Sequence, residues 1–157
     1  MIWGLTRYKT MPIAPEFRQH YGRAWRTEIR PRILKRAHEE CECCRKPLHA
    51  WIFTYTWQSR DPQFGGRRRY HMIWIREGSK VWRNQFGHPC SPLAAKGLPR
   101  KIRVKLTIAH ADNVPANMDD LNLRCWCTWC HLHHDQPHHK ASRGTRKDRG
   151  RPLLETL

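Results

Sequence analysis

Two Cys-x-x-Cys pairs, far apart in the chain, constrain its fold more than any other feature. Cys41 and Cys44 lie in ECECCRKP, and Cys127 and Cys130 lie in CWCTWCHLHHDQPHH. Two such knuckles can close one tetrahedral Zn²⁺ site, with Zn–S bonds of about 2.3 Å. The expected ligand set is therefore Cys41, Cys44, Cys127 and Cys130. Cys43 and Cys125 sit beside knuckle cysteines and could substitute. His131, directly after the second knuckle, offers a Cys₃His alternative. Seven cysteines are an odd number, and clustered cysteines in an unsecreted chain point to metal rather than disulfides. Cys90 is expected as a free thiol. His131, His133, His134, Asp135, His138 and His139 exceed what one zinc needs, which points to a second, working metal.

The length of 157 residues fits one domain with mobile ends. We place an N-terminal extension at 1–22, a single domain at 23–141 and a basic tail at 142–157. The formal net charge is +17, from 30 Lys and Arg against 13 Asp and Glu. Such an excess repels itself in the compact state and attracts polyanions, so a nucleic-acid partner is the first expectation. No apolar run approaches the roughly 20 residues that span a bilayer, and Met1–Pro12 lacks the apolar core of a signal peptide. A cytoplasmic protein is expected.

Along the chain, Trp25, Ile29, Ile33, Leu34 and Ala37 recur at the spacing of one helical face, predicting a helix from about Arg23 to Glu39. Pro31 would kink or restart it. AWIFTYTW at 50–57 and RRYHMIWI at 68–75 are rich in β-branched and aromatic residues and read as a hairpin, turned by DPQFGG. Residues 84–99 read as a long loop. KIRVKLTIA at 101–109 alternates basic and apolar residues, as one half-buried strand with a basic outer face would. A short helix is expected from about Thr128 to Ala141, with Pro137 kinking it or ending it early.

Read from Leu106, the chain runs LTIAHADNVPANMDDLNLRCWCTWCHLHHD. The order is a strand, a loop with histidine and acids, an Asn-Leu pair, a knuckle, and histidine on a helix. This resembles the HNH endonuclease family, the ββα-metal or His-Me finger nucleases. More narrowly, it is similar to small phage and bacterial members whose strand ends in an AHLDH-like motif. The resemblance spans about Met11 to His139 and is strongest over Ile33–Pro47 and Leu106–His139. It implies an α+β fold: a zinc-stapled ββα-metal core with an N-terminal helix, a β-hairpin insertion at about 50–100 and a basic, disordered C-terminal tail. By the same resemblance, the four knuckle cysteines hold a structural zinc that clamps the N-terminal region to the core. Asp112 and His131 match the ligands of one catalytic divalent ion, Mg²⁺, Mn²⁺ or similar. Asn122 matches the asparagine that orients the loop. Asp135, four residues after His131 on the same helical face, is a candidate third ligand, and His134 and His138 compete for that role.

The expected activity is metal-dependent hydrolysis of DNA phosphodiester bonds, non-specific or weakly specific. Family analogy places it in a phage or mobile-element setting in a bacterial cell, beside phage packaging proteins. One position departs from the pattern. The base histidine normally follows the metal-binding acid, and here that residue is Asn113, whose neutral amide cannot take a proton from water. His110 is the nearest replacement, two residues before Asp112 and on its face while the strand stays extended. The alternative is a catalytically weak or inactive DNA-binding protein on the same scaffold. An RNA-binding zinc protein is a weaker third reading, since nothing resembles an RNA-recognition module.

Trp25, Trp51, Trp57 and Trp74 are expected in a small core, and Trp126 and Trp129 packed over the zinc site. Arg67, Arg68 and Arg69, the basic face of Lys101–Lys105 and the C-terminal arm are the expected phosphate contacts. Asp119 and Asp120 read as turn residues.

Overall fold

The computed structural model describes residues 15–60, 68–92 and 97–140. The N-terminal extension before Pro15, Arg67 and the basic arm beyond Lys140 lie outside the described residues.

A 3₁₀ segment, Pro15–Tyr21, leads into a π-helical turn, Trp25–Ile29, and then helix α1, Arg30–Arg36. Pro31 explains the interruption of the expected continuous helix. Proline lacks an N–H and its ring clashes with the carbonyl four residues back. The preceding turn is widened, with the Arg30 N–H reaching the Trp25 carbonyl, and Pro31 occupies the first turn of α1, where a missing donor does no harm. The helix stops short of the expected Glu39. His38 and Glu39 take left-handed φ values of 52° and 56°. Their N–H groups donate to Lys35 O and Leu34 O, each at 3.0 Å, a Schellman closure built without glycine.

The first knuckle follows at once. Cys41 N–H donates to Lys46 O and Arg45 N–H to Cys41 O, at 2.9 and 2.8 Å. The chain then enters β1, Trp51–Arg60, which pairs antiparallel with β2, Arg68–Arg76, from Ile52↔Arg76 to Arg60↔Arg68. The hairpin read from the sequence is present and longer than expected. Short β3, Arg83–Asn84, joins β2, and β4, Arg100–Arg103, joins β1, giving the order β3-β2-β1-β4. Gly87, in the turn after β3, has φ +83° and lies so close to the knuckle that a Cβ would meet the Cys44 carbonyl group at 3.0 Å. Only glycine lets the two backbones approach this closely.

Residues 101–109 are not one strand. The chain leaves β4 at Arg103 and begins β5, Leu106–His110, which pairs with β6, Leu123–Cys127, in a separate two-stranded sheet. Val104 marks the switch: its N–H donates to Ala50 O and its carbonyl accepts from His49 N–H. The alternation of buried and exposed residues survives the crossing, with Val104, Leu106 and Ile108 all buried. The pattern therefore could not reveal it. Helix α2, Thr128–His134, begins directly after β6, so β5, β6 and α2 form a ββα unit. The helix breaks at Asp135 and resumes over 136–140, because Pro137 cannot supply the N–H that a continuous helix would need. The protein is thus α+β, with antiparallel sheets, short helices and a four-cysteine cluster.

The core joins Ile33, Ala37, Ile52, Met72, Val104, Leu106, Ile108 and Leu123 to the knuckle cysteines. Trp25 and Trp74 are buried as expected. Trp51 is not: it is 48 % exposed, on the face of β1 where Lys101 Nζ stands 5.4 Å from its ring. Trp57 is half-buried and stacks on His71. Among the described residues, no helix is long and apolar enough to cross a membrane.

Candidate functional site

The four knuckle cysteines converge. The sulfurs of Cys41, Cys44, Cys127 and Cys130 all lie within 4.8 Å of one another and all four residues are buried. Cys44 and Cys127 are 3.6 Å apart, sulfur to sulfur. A tetrahedron with Zn–S bonds of about 2.3 Å has edges of about 3.8 Å, so the donor set fits zinc. Taken as thiols alone, the four resist common ionisation. Hydrogen bonding from Cys127 is the main cause holding Cys41 far below the usual thiol value, while contact with Cys127 pushes Cys44 and Cys130 upward. A divalent cation removes that conflict by stabilising four thiolates at once. Four thiolates outweigh one Zn²⁺, and two groups offset the excess: the Cys127 N–H donates to Cys41 Sγ at 3.3 Å, and Lys46, 3 % exposed, bears on the cluster with its ammonium bonded to Met72 Sδ.

The open alternatives resolve. Cys125 is buried outside the cluster, and burial pushes its thiol up to about 12, so it stays neutral. Cys43 is exposed, and neither it nor His131 belongs to the four-ligand set.

A polar clasp missed at the sequence level holds the knuckles together. The Arg36 guanidinium donates to Leu123 O at 2.6 Å, to Glu42 Oε1 at 2.8 Å and to Asp120 O. Glu42 Oε2 accepts the Cys125 N–H at 2.7 Å. Arg32 grips Asp120 with two bonds, 3.0 and 2.6 Å, so Asp120 is more than a turn residue. These links tie α1 and the first knuckle to β6, which carries the second. Arg36→Ala should cost about 2 kcal/mol of unfolding free energy, read from urea titration of the zinc-loaded protein. Lys35→Ala, on the exposed neighbour, should stay within about 0.5 kcal/mol. Equal effects would refute the clasp.

At the end of β5 the chain turns sharply. Asn113 N–H bonds His110 O, and Asn113 takes φ 59°, a conformation asparagine tolerates. Asp112 stands exposed in this turn, and its carboxylate accepts from Asn117 Nδ2 at 2.7 Å, Asn122 Nδ2 at 3.0 Å and Val114 N–H at 2.9 Å. Those bonds, the Val114 N–H foremost, lower its pKa. Asn122 also accepts the Asp112 N–H at 3.1 Å, so it orients the loop through both backbone and side chain. Asp119 closes the same loop by accepting the Leu121 N–H at 2.8 Å.

His110 does not share a face with Asp112, because the strand ends between them. Its ring is buried, stacked on Trp25 at 5.7 Å and met edge-on by Tyr21 at 6.1 Å. Its Nε2 has no partner among the described residues. Burial lowers its pKa and keeps it neutral.

On α2, His131 Nε2 lies 3.0 Å from Asp135 Oδ2, and its Nδ1 lies 3.3 Å from Thr107 Oγ1 on β5. The i, i+4 face expected for His131 and Asp135 is therefore present. His134 Nδ1 reaches the other oxygen of Asp135 at 3.2 Å. His138 is exposed, with its ring against His139. Trp129 stacks on His133 at 5.0 Å and Trp126 lies 4.6 Å from His134, and both tryptophans pack against the core cluster that contains the four cysteines. Asp112, His131 and Asp135 form no second cluster of three ligand atoms among the described residues.

The chain matches no protein-family model, no curated protein and no solved structure. What it does can be argued only from its own residues.

Proposed function

We propose that this protein is an HNH-type, metal-dependent endonuclease acting on DNA with little sequence specificity. The observation that carries the reading is the ββα unit: Asp112, fixed by Asn122 in the turn after β5, and His131, seated on α2 against Thr107 of the same strand. A Mg²⁺-type ion needs only one or two protein ligands, completed by water and phosphate oxygens. Asp112 and His131 are the residues assigned to it: the three donors on Asp112 leave acceptor sites on its carboxylate free, and one His131 ring nitrogen would exchange its contact with Thr107 or Asp135 for the ion. When bound, such an ion stabilises charge on the scissile phosphate and the leaving oxygen.

The remaining work falls to the chain. Asn122 keeps Asp112 from turning away, and Asp135 holds the His131 ring in register. His110 is assigned as proton acceptor: its neutral imidazole suits a base, and its Nε2, buried beneath Trp25 and Tyr21, would take the proton only from a water admitted past those rings. The net charge of +17 draws the polyanion in.

A second reading, a non-catalytic DNA-binding module, is favoured by Asn113 in the base position and by the burial of His110. Nicking of supercoiled plasmid by zinc-loaded protein with Mg²⁺ or Mn²⁺ separates the two. The wild type should nick, and Asp112→Ala, His131→Ala and His110→Ala should each lose about 100-fold or more. A wild type that retards the plasmid without cutting it supports the binding module. One that does neither refutes both.

A further inference from the structure

A second concave site shares no residue with the Asp112 loop or α2. It is a cavity of about 620 Å³ lined in part by Arg45, Arg76, Arg83, Trp74, Glu40 and Glu77. The three arginines come from separate elements: the first knuckle, the end of β2, and β3. Among the described residues, no carboxylate pairs with any of them. Arg83 spends one donor on Gly87 O at 2.8 Å, and the other guanidinium donors of this group carry no bond to a described acceptor. Of the two glutamates, Glu77 is already engaged by Lys101.

A second observation points the same way. Trp74 is 3 % exposed, and its indole N–H is buried with no acceptor. Buried donors are ordinarily satisfied, and an unsatisfied one calls for an explanation such as a missing ligand. Guanidinium and indole N–H groups donate and never accept. A ligand for this wall must be rich in acceptors and negative, and the guanidinium fork matches phosphate oxygens two at a time. Gly87 packs this corner onto the Cys44 backbone, so the zinc knuckle supports one side of the cavity.

We propose that the cavity seats a phosphate group, which on the DNA reading above is a backbone phosphate distinct from the scissile one. The inference rests on that reading for the source of the phosphate and not for the site itself. Its role is to fix register on the polynucleotide, as phosphate contacts do.

The test uses the zinc-loaded full chain in two arms. In the first, anisotropy of a labelled duplex is followed across salt for wild type and Arg76→Gln/Arg83→Gln. Losing two phosphate contacts should make the slope of log K against log salt shallower by about 1.8 and weaken binding at least about tenfold near physiological salt. In the second, pyrophosphate is titrated while the Trp74 indole ¹H–¹⁵N signal, assigned with Trp74→Phe, is followed. It should shift in wild type and not in the double variant. A double variant with wild-type slope and affinity, or an indole signal that pyrophosphate leaves in place, overturns the site. A wild type that shifts with pyrophosphate yet binds no duplex refutes the DNA reading and leaves the phosphate site standing.

Discussion

Cys127→Ser will leave the purified chain without stoichiometric zinc and without a cooperative unfolding transition. The four sulfurs sit where the end of α1, β6 and α2 meet. Cys41 and Cys44 follow α1, Cys127 ends β6 and Cys130 lies in the first turn of α2. The apolar core around them is small: among the described residues, nine aliphatic or tryptophan side chains and one methionine share the buried cluster with five cysteines. Structural zinc contributes about 10–16 kcal/mol of apparent binding free energy in zinc-finger peptides, whereas a domain of this size is stable by about 5–15 kcal/mol in all. Removing one thiolate leaves three crowded sulfurs and forfeits most of that contribution. Zinc content by emission spectrometry and dispersion of amide resonances would report it. Cys43→Ser is the control and should keep both, since Cys43 is outside the ligand set. A Cys127→Ser protein with full zinc and a sharp transition would mean that another residue completes the site.

Asn113→His should raise plasmid nicking by about 10²-fold or more, the lower range of general acid–base contributions. Asn113 directly follows Asp112, in a turn that leaves both exposed. An imidazole there would stand in water at near-neutral pKa, whereas His110 Nε2 is shut in beneath Trp25 and Tyr21. The left-handed φ of 59° costs histidine little, since His shares with Asn and Asp an enrichment in that region. The substitution should therefore leave the fold intact. If wild type already cuts well and Asn113→His changes nothing, the proton acceptor is elsewhere, and His110→Ala identifies it. If Asn113→His cuts where wild type only binds, the scaffold is a binding module that lacks one group.

Much of the site was legible because its chemistry is local in sequence. The Cys-x-x-Cys spacing specifies a knuckle, and a thiolate set without a cation is too unfavourable to bury. Asp112 and Asn122 lie ten residues apart across one tight loop, and their pairing follows from the short connection between β5 and β6. His131 and Asp135 meet because an α-helix places i and i+4 on one face. The π-helical turn was half legible: Pro31 announced a break but not its form.

Other features were decided in three dimensions. Residues 101–109 keep a single buried-exposed alternation, so nothing local tells that Val104 hands the chain from one sheet to another. Trp51 carries the same composition signal as Trp74, and only the pairing of β1 with β4 puts it on the outer face beneath Lys101. His110 looked as available as Asp112 until the strand ended between them and Trp25 and Tyr21 closed over its ring. Arg36 read as one more exposed cation on a helix, and its bonds to Leu123 and Asp120, more than eighty positions away, exist only because α1 packs against β6. The sequence by itself determined the two knuckles and the order of the ββα unit, since those rest on donor chemistry and short-range spacing. Tertiary structure decided which histidine is buried, which arginines converge and which tryptophans see water, because burial belongs to the packed chain and not to any stretch of it.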